Sequence, residues 1–348
     1  MSYGFGIVGL GLIADFHAQA IEAMNNGKVV ACLSRSKEKA DAFAHKSGCT
    51  GYSSMEDFLA HPGLNIVTVC TPSGSHLESS LRIIDAGKHL IVEKPLEVTL
   101  DRCDRIIRAA QNKGIRLATV FPSRFHEVAG VIKKALAAGR FGRVVLGGAY
   151  VKWYRTQEYY DNGGWHGTKA LDGGGALMNQ SIHAIDMLLW LMGPVVSVQA
   201  YTGTLGHQRI EVEDAAVAAL EFESGALGVI EGSTAAYPGF LKKIEICGTK
   251  GSMVLEEADL KSWSFAEEKE EDEIIRKKYA SRTDSGGGAA DPAAISFKPH
   301  QWQFEEFVAS LDSGQPSMAA DKEGRKAVEI ILAIYKSANT GKRVSLPL

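Results

Sequence analysis

The first third of the chain alternates short apolar runs with helix-patterned segments, and this alternation constrains the fold more than any other feature. Buried strands are predicted at residues 5–8, 29–33, 66–70, 89–92 and 116–120, and helices at residues 12–25, 37–46, 75–86 and 99–112. Strands that alternate with helices form a parallel sheet with helices on both faces. We therefore predict that the chain begins with an α/β domain.

A glycine-rich turn, GLGLIA, lies between the first predicted strand and the first predicted helix. Gly9 and Gly11 allow a tight turn and let the backbone approach a pyrophosphate, whose negative charge the helix N-terminus favours. Leu12, Ile13 and Ala14 complete the G-x-G-x-x-A pattern. Because the motif has a strand before it and a helix after it, we predict a Rossmann dinucleotide-binding domain in which residues 9 and 11–13 contact the cofactor.

The residues after the second predicted strand bear on the choice of cofactor. Ser34, Arg35 and Ser36 stand where a protein that binds NAD usually has Asp or Glu, about twenty residues past the glycines. Two hydroxyls and a guanidinium suit a 2′-phosphate. We therefore predict NAD(P) as the cofactor, with NADP(H) favoured over NAD(H). Arg35 could instead stack on the adenine face or point to solvent.

The pattern changes after residue 121, where strand-like segments follow one another closely. Strands are predicted at residues 195–202, 215–222, 226–233 and 243–246, with a hairpin turn at 223–225, and helices at residues 127–138, 302–313 and 322–338. Residues 267–278 are rich in charge and indicate a solvated face, and residues 285–292 indicate a mobile loop. We predict two domains, 1–121 and 122–348, although the C-terminal helices could pack back on the first.

The composition excludes several classes of protein. The net charge is −3 and no basic tract appears, so nucleic acid is not expected as a partner. No apolar run has the length of a membrane span and no signal peptide opens the chain, so we expect no membrane partner. The five cysteines are scattered, which is typical of reduced thiols in a cytoplasmic protein. No His/Cys cluster has zinc spacing, and no metal is predicted.

Two segments follow the carboxyl ends of predicted strands, where open α/β sheets bind ligands. One is TPSGSH at residues 71–76 and the other is EKP at residues 93–95. We predict that both contact the cofactor, through Thr71, Pro72, His76, Glu93 and Lys94. The bond between Lys94 and Pro95 is a candidate cis peptide. Burial beside an oxidised nicotinamide would lower the pKa of Lys94 and suit it to proton transfer, whereas an exposed lysine would be a surface charge.

A glycine-led apolar segment, GGGALMNQSIHAIDMLLWLMG, spans residues 173–193, and a helix is predicted from residue 176 to 192. Asn179, His183 and Asp186 recur at i, i+4 and i+7, so a helix puts them on one stripe. An unpaired buried polar group costs roughly 1–3 kcal/mol, so the stripe either pairs internally or faces a polar cleft. His183 is then either a core histidine bonded to Asp186 or an acid or base at a pocket.

Aromatic side chains and hydrogen-bond donors precede this helix. Tyr154, Arg155 and Trp165 are predicted to contact a substrate, although aromatic side chains on a half-buried sheet also serve packing or subunit contacts. Arg124 follows the strand predicted at residues 116–120 and could lie near the nicotinamide. An exposed face of the second sheet would be an apolar liability in a monomer, so we predict a homodimer or homotetramer.

Together, GLGLIA, TPSGSH, EKP and GGGALMNQSIHAID resemble the Gfo/Idh/MocA oxidoreductases, and the resemblance covers essentially the whole chain. It implies a Rossmann domain followed by an α/β domain with an open, mostly antiparallel sheet. It also implies that the lysine of EKP and the histidine after GGG, here Lys94 and His183, serve the reaction. That reaction would transfer a hydride between the nicotinamide and a ring hydroxyl or carbonyl of a sugar, a sugar derivative or a cyclic polyol.

The chain departs from the family pattern at one position, because many members have Asp where Asn179 stands. Asparagine cannot exchange a proton as a carboxylate does. Either Asp172 or Asp186 substitutes, or Asn179 binds a substrate hydroxyl while Lys94 and His183 share the proton transfer. Two other functions remain open on this scaffold. One is a redox-neutral, NAD-dependent glycoside hydrolase, and the other is a non-catalytic NAD(P)-sensing regulator.

Overall fold

A computed structural model describes residues 2–162, 164–280, 296–320 and 322–348. Its contacts divide the chain into two units: residues 1–122 with 296–328, and residues 123–295 with 329–348. The loop predicted at residues 285–292 lies outside the described residues. Among the described helices, none combines the length and the apolar character that crossing a membrane requires.

The first unit is built on a six-stranded sheet in which neighbouring strands are parallel. Its strands are β1 (Tyr3–Val8), β2 (Gly27–Leu33), β3 (Thr50–Tyr52), β4 (Leu64–Val69), β5 (His89–Val92) and β6 (Leu117–Thr119). Its connecting helices are α1 (Leu12–Glu22), α2 (Lys37–Ser47), α3 (Met55–Leu59), α4 (His76–Asp85) and α5 (Leu100–Lys113). The alternation predicted from the sequence is confirmed.

The order of the strands in this sheet is β3-β2-β1-β4-β5-β6. The chain therefore moves outward in one direction from β1 to β3 and in the other direction from β4 to β6. Open α/β sheets bind ligands outside the carboxyl ends of the strands, where the order reverses. Here the reversal lies between β1 and β4, beside the glycine-rich turn and residues 70–76.

Local sequence explains where several of these helices begin and end. The hydroxyl of Ser36 accepts from the backbone N–H of Lys39 and starts α2, and Gly48, with φ +62°, ends it. Thr99 caps α5 in the same way, and Gly114, with φ +67°, ends that helix. A hydroxyl at the N-cap and a left-handed glycine after the last turn satisfy the backbone groups that a helix leaves open.

The second unit is built on an eight-stranded sheet, with the order β13-β12-β11-β7-β10-β9-β8-β14. Its elements in chain order are α6 (Glu127–Ala137), β7 (Val144–Lys152), α7 (Gln157–Asn162), a π-helix (Ala176–Ser181), α8 (Ile182–Met192), β8 (Val195–Gly203), β9 (Ala215–Phe222), β10 (Leu227–Ser233), β11 (Lys243–Gly248), β12 (Gly251–Glu256), β13 (Asp259–Phe265), α9 (Glu270–Tyr279) and β14 (Val344–Ser345). β7 and β10 pair in parallel and the other described pairs are antiparallel. The mostly antiparallel sheet implied by the family resemblance is confirmed.

Helix α8 packs against β7 and β11 on one face of this sheet. The contact is close, because a Cβ added at Gly147 of β7 would overlap the Met192 side chain. The opposite face carries exposed apolar side chains that lie in register: Val217 beside Tyr201, and Leu227 beside Leu146. The second sheet is therefore covered on one face and partly apolar on the other.

Two helices near the C-terminus, α10 (Lys298–Ser313) and α11 (Glu323–Thr340), complete the units. Phe304, Phe307 and Val308 of α10 belong to the same buried cluster as Phe5 and Ile21. The second domain is therefore not the continuous stretch 122–348, because this apolar face of α10 is buried in the first unit. The first unit takes residues 323–328 of α11 and the second takes residues 329–340.

The charge-rich segment at residues 267–278 forms most of α9 rather than only a solvated face. Asp272 of α9 is buried, and its carboxylate accepts hydrogen bonds from Arg140 at 2.7 Å and from the Trp263 indole at 2.9 Å. The Arg140 guanidinium also packs over the Phe265 ring, 4.1 Å from its centroid. This ion pair explains why an acidic residue inside a charged run is buried.

Candidate active site

The glycine-rich turn leads from β1 into α1 and has the shape that a pyrophosphate needs. Gly9 has φ +89°, and a Cβ there would lie 2.8 Å from the backbone nitrogen of Thr71. At Gly11 an added Cβ would meet open space. No side chain caps the N-terminus of α1. Leu12 is 56% exposed and Ile13 is half-buried. These residues fit a dinucleotide phosphate at the helix N-terminus.

Ser34, Arg35 and Ser36, which are predicted to bind the 2′-phosphate of the cofactor, differ in the hydrogen bonds that they form within the protein. The Ser36 hydroxyl caps α2 and donates to the Glu38 carboxylate at 2.7 Å. The Ser34 hydroxyl accepts from the backbone nitrogen of Ser36 at 3.2 Å. Arg35 is exposed. The two hydroxyls thus shape the turn, and the guanidinium is the group best able to meet a phosphate.

His76 holds two loops together through its side chain. Its side chain is fully buried, with Nε2 lying 2.9 Å from the carbonyl oxygen of Thr71 and Nδ1 lying 2.9 Å from that of Pro95. At these distances the imidazole contacts backbone carbonyl oxygens, and the contact between His76 and the cofactor stays a prediction. Thr71 and Pro72 are half-buried at the carboxyl end of β4.

Lys94 follows β5 by two residues and is half-buried. The bond between Lys94 and Pro95 is cis, as the sequence predicted. The backbone nitrogen of Lys94 donates to Glu93 Oε2 at 3.0 Å. The position and partial burial of Lys94 are those of a strand-end group that faces a ligand crevice.

The Glu93 carboxylate also faces a buried histidine that sequence reasoning missed. His17 of α1 has its Nε2 2.9 Å from Glu93 Oε1 and its Nδ1 2.8 Å from the Thr68 hydroxyl. Burial opposes both charges, but the hydrogen bond and charge of His17 lower the pKa of Glu93 to about 2. Burial likewise disfavours the imidazolium, yet Cys70 and Glu93 raise the pKa of His17 to about 10. The two groups form a buried ion pair.

In the second unit, residues 176–181 form a π-helix that leads into α8. The predicted single α-helix from 176 to 192 is therefore wrong over its first turn. The Glu213 carboxylate accepts from the backbone nitrogens of Gly175 at 3.0 Å and Leu177 at 2.8 Å, and from the Tyr335 hydroxyl at 2.9 Å. Burial raises the pKa of Glu213, and these hydrogen bonds oppose the rise. A π-helical turn of this kind is frequent at functional sites.

Asn179 lies in the π-helix, and its side-chain nitrogen donates to Asp172 Oδ1 at 2.6 Å. The other oxygen of Asp172 accepts from the backbone nitrogen of Gly167 at 2.8 Å. Asp172 and Asp186 were the two possible substitutes for the family's aspartate. Of these, Asp172 is hydrogen-bonded directly to the side chain at position 179. The expectation that a polar residue in this segment has a partner holds for Asn179.

Asp186 is committed to another partner. Its two oxygens accept from Arg124 Nε at 2.8 Å and Nη2 at 2.5 Å, and both side chains are almost fully buried. Arg124 belongs to the second unit and pairs inside it, so the guanidinium predicted near the nicotinamide is held by Asp186. His183 is half-buried and lines a small cavity with Ser123, Lys242 and Glu257.

Two of the residues predicted to contact a substrate, Arg155 and Asn179, form a connected cluster around Gln180. Arg155 is buried and donates to Gln180 Oε1 at 3.2 Å, and Gln180 donates to the Tyr159 hydroxyl at 3.1 Å and to Asn179 Oδ1 at 3.3 Å. The Trp165 ring lies 4.2 Å from the His166 ring, which stacks on Tyr159 at 4.5 Å. Tyr154 packs edge-on against Tyr237.

The structure therefore assembles two groups of candidate residues. The first unit holds the glycine-rich turn, the 71–76 loop, Glu93 and Lys94. The second unit holds Asn179, His183, Asp172 and the cluster around Gln180. Gln180 and Glu213 were not predicted as site residues. The 2.6 Å contact with Asn179 supports Asp172, which the sequence offered as one substitute for the family's aspartate.

Comparison with known proteins gives matches to both parts of the chain. A family model described as "Oxidoreductase family, NAD-binding Rossmann fold" matches residues 3–121. A second model, "GFO/IDH/MocA C-terminal domain", matches residues 131–254. The two matches share one family name and lie in the two units described above.

Individual relatives resemble the chain over nearly its full length. The WlbA dehydrogenase of Bordetella pertussis, solved in complex with NADH and UDP-GlcNAcA, is 34% identical, with a TM-score of 0.89, and the match covers 100% of this chain and 98% of that chain. Myo-inositol 2-dehydrogenase of Thermotoga maritima is 26% identical over 98% of each protein. D-glucoside 3-dehydrogenase of Escherichia coli is 27% identical over 98% of this chain and 96% of its own.

Proposed function

The chain belongs to the GFO/IDH/MocA family of oxidoreductases and carries its NAD-binding Rossmann domain, and from this membership we propose that it oxidises a ring hydroxyl of a sugar, a sugar derivative or a cyclic polyol, or reduces the corresponding carbonyl. The observation that carries the proposal is the 34% identity, over the full chain, to a dehydrogenase that binds NADH and a sugar nucleotide. The named relatives are dehydrogenases and reductases, so the hydrolase and regulator alternatives are not favoured.

Lys94 and His183 share the proton transfer in this proposal, and Asn179 binds a substrate hydroxyl. When bound, the cofactor would accept the hydride during oxidation and donate it during reduction. Lys94 or His183 accepts the hydroxyl proton during oxidation and returns it to the carbonyl oxygen during reduction. Asn179 can both donate and accept, and its contact with Asp172 orients the amide so that its oxygen accepts from a substrate hydroxyl. Holding the reactants in one orientation supplies much of the rate.

The glycine-rich turn, Thr71, Pro72, Glu93 and Lys94 bind the cofactor in this proposal. NADP(H) as the preferred cofactor remains part of it. The exposed Arg35 and the lack of an acidic residue at positions 34–36 support this preference. The hydroxyls of Ser34 and Ser36 already form hydrogen bonds within the protein, so the preference for NADP(H) depends on the Arg35 guanidinium.

A nucleotide-linked sugar acid is the first candidate substrate. WlbA dehydrogenases from two organisms, both solved with NADH and UDP-GlcNAcA, are 34% identical to this chain over its full length. The relatives named for inositol or glucosides are 26–27% identical. The polar cluster around Gln180 and the half-buried Tyr154 and Trp165 would meet hydroxyls and a sugar face.

The proposal also includes a homodimer or homotetramer and a cytoplasmic location. The exposed apolar residues on one face of the second sheet support self-association. The five free cysteines support a reducing compartment.

The test is to follow nicotinamide absorbance with NAD+ or NADP+ and a panel of UDP-GlcNAcA, myo-inositol, a D-glucoside and levoglucosan. Lys94→Ala and the charge-preserving Lys94→Arg run alongside the wild-type protein. We expect one class of substrate to reduce the cofactor, and Lys94→Ala to lower kcat at least about 100-fold, as the loss of a proton-transfer group does. Near-normal turnover by Lys94→Ala with unchanged cofactor binding would contradict the proposed mechanism.

A further inference from the structure

The Glu93 side chain connects the lysine loop to a different element of the first unit. One carboxylate oxygen accepts from the backbone nitrogen of Lys94 at 3.0 Å, and the other accepts from His17 at 2.9 Å. Both side chains are buried, His17 completely. Because the Glu93 carboxylate is hydrogen-bonded to both His17 and the Lys94 backbone, it restricts the movement of the Lys94 backbone.

His17 is in turn fixed by its own surroundings. Its second nitrogen lies 2.8 Å from the Thr68 hydroxyl of β4, and its ring packs edge-on against Phe304 at 5.1 Å. The thiol of Cys70 lies 3.2 Å from the same nitrogen, and the His300 ring lies 5.5 Å from the His17 ring. His17 is the sixth residue of α1, the helix whose N-terminus carries the glycine-rich turn.

We propose that His17 and Glu93 are positioning residues that tie the phosphate-binding end of α1 to the backbone of Lys94. This rests on the proposed function, because it matters for the reaction only if Lys94 transfers the proton. One imidazole then spans α1, the end of β4 and the loop after β5. A shift of α1 on cofactor binding would be passed to Lys94 through two hydrogen bonds.

The same cluster could be taken for a metal centre, since His17, Glu93 and His300 place one ligand atom each within 4.8 Å of one another. Two histidines and a carboxylate are a common metal-binding set. However, both nitrogens of His17 and both oxygens of Glu93 already meet protein partners at 2.8–3.0 Å. A metal would have to displace those contacts, so the geometry favours the ion pair.

The ion pair gives two variants with opposite electrostatic effects on Lys94. Glu93→Gln removes an anion that interacts electrostatically with Lys94 and keeps the shape, so the lysine should lose its proton at lower pH. His17→Gln removes a cation and leaves Glu93 charged, so the lysine should hold its proton to higher pH. The titratable groups around Glu93 are His17, His300 and Lys94, with Cys70 beside His17.

The experiment titrates carbon-13-labelled lysine by NMR in the full-length protein saturated with NADH, with Lys94→Arg to assign the signal. We expect the Lys94 midpoint to fall by about half a pH unit or more in Glu93→Gln and to rise in His17→Gln. Glu97→Gln is the matched control, because Glu97 is a fully buried carboxylate of the same loop that bonds Arg102 and the backbone of Val98. It should not move the midpoint.

Kinetics with the substrate found in the panel provide the second readout. Glu93→Gln and His17→Gln should each lower kcat about 10-fold, and the double variant should be no worse than either single variant. In His17→Gln the dissociation constant for NADH should stay within about twofold. Equal effects from Glu97→Gln, or no effect on the midpoint from any variant, would show a purely structural role. One equivalent of zinc or iron in the purified protein would overturn the ion-pair assignment. Full activity of Lys94→Ala would instead remove the proposed function itself.

Discussion

The side-chain amide of Asn179 donates to the carboxylate of Asp172 at 2.6 Å, which sets a buried acid beside the position where relatives often have one. This chain thus has a carboxylate near the position of the family's aspartate, on Asp172, which is hydrogen-bonded to residue 179. Because Asp172 also accepts from the backbone of Gly167, its orientation is fixed. The amide at position 179 can then present its oxygen to a substrate without a change in charge.

Restoring the family residue with Asn179→Asp should destabilise the protein at neutral pH. Two carboxylates would meet at hydrogen-bond distance, and we expect a loss of roughly 1–3 kcal/mol in the free energy of unfolding. Protonation of one of them at lower pH restores the hydrogen bond, so the loss should shrink as the pH falls towards about 5. Urea unfolding at several pH values measures this. Asn179→Ser, which adds no charge, should show no such pH dependence.

Arg35→Ala tests the choice of cofactor. If the guanidinium binds a 2′-phosphate, kcat/KM with NADP+ should fall about 10-fold or more, since a charge-assisted contact is lost, while kcat/KM with NAD+ changes by less than about twofold. A parallel fall with both cofactors would mean that Arg35 stacks on the adenine. Lys37→Ala, which removes an exposed cation two residues away, is the control.

The buried pair of Arg124 and Asp186 should matter for stability. Asp186→Asn leaves a buried guanidinium without its anion, and we expect a loss of about 3–5 kcal/mol in the free energy of unfolding. The double variant Arg124→Met with Asp186→Leu should recover much of that loss, because neither charge is then left alone. A loss below about 1 kcal/mol in the single variant would mean that water or another anion reaches Arg124.

The pair of His17 and Glu93 predicts how stability depends on pH. The carboxylate has its pKa lowered from 4.5 to about 2, so its contribution is present above 4.5 and is lost as the pH falls towards 2. The imidazole has its pKa raised from 6.5 to about 10, so its contribution is present below 6.5 and is lost as the pH rises through 10. The stability difference between wild type and Glu93→Gln should therefore be largest from pH 4.5 to 6.5 and decline above it.

Self-association should depend on the apolar face of the second sheet. Val217 is 53% exposed and paired with Tyr201, which is 76% exposed. Val217→Asp places a charge in that face and should shift the protein towards the monomer in light scattering. Leu205→Asp is the matched control, because Leu205 is 81% exposed but lies outside the strands. If Val217→Asp has the same mass as the wild-type protein, self-association does not depend on this face of the sheet.

The first unit was predictable because its signals are local. The glycine-rich turn, the capping residues of α2 and α5 and the strand-end Lys94 each depend on neighbours within a few positions. β7 was missed for a physical reason, since its two glycines weaken a strand pattern and Gly147 is required by the Met192 contact.

The contacts that the sequence could not predict join distant parts of the chain. His17, Glu93 and His300 meet only after folding, so no spacing rule finds them. The π-helix depends on Glu213, which accepts from the backbone of the glycine segment, and on Tyr335, which donates to Glu213. His76 lies in a loop typical of ligand contact, and its burial became visible only with its three carbonyl partners.

The completion of the first domain by residues 296–328 affects how the protein can be synthesised and cut. Phe304 and Phe307 reach the core around Phe5 only after the ribosome has translated the chain past residue 307. Domains usually fold from the N-terminus during synthesis. Here the first unit cannot complete its core until residues 296–328 have been synthesised, and its apolar strands are exposed until then. The second unit likewise requires residues 329–348. Neither domain can be excised by a single cut, and production should depend on chaperones more than the chain length alone suggests.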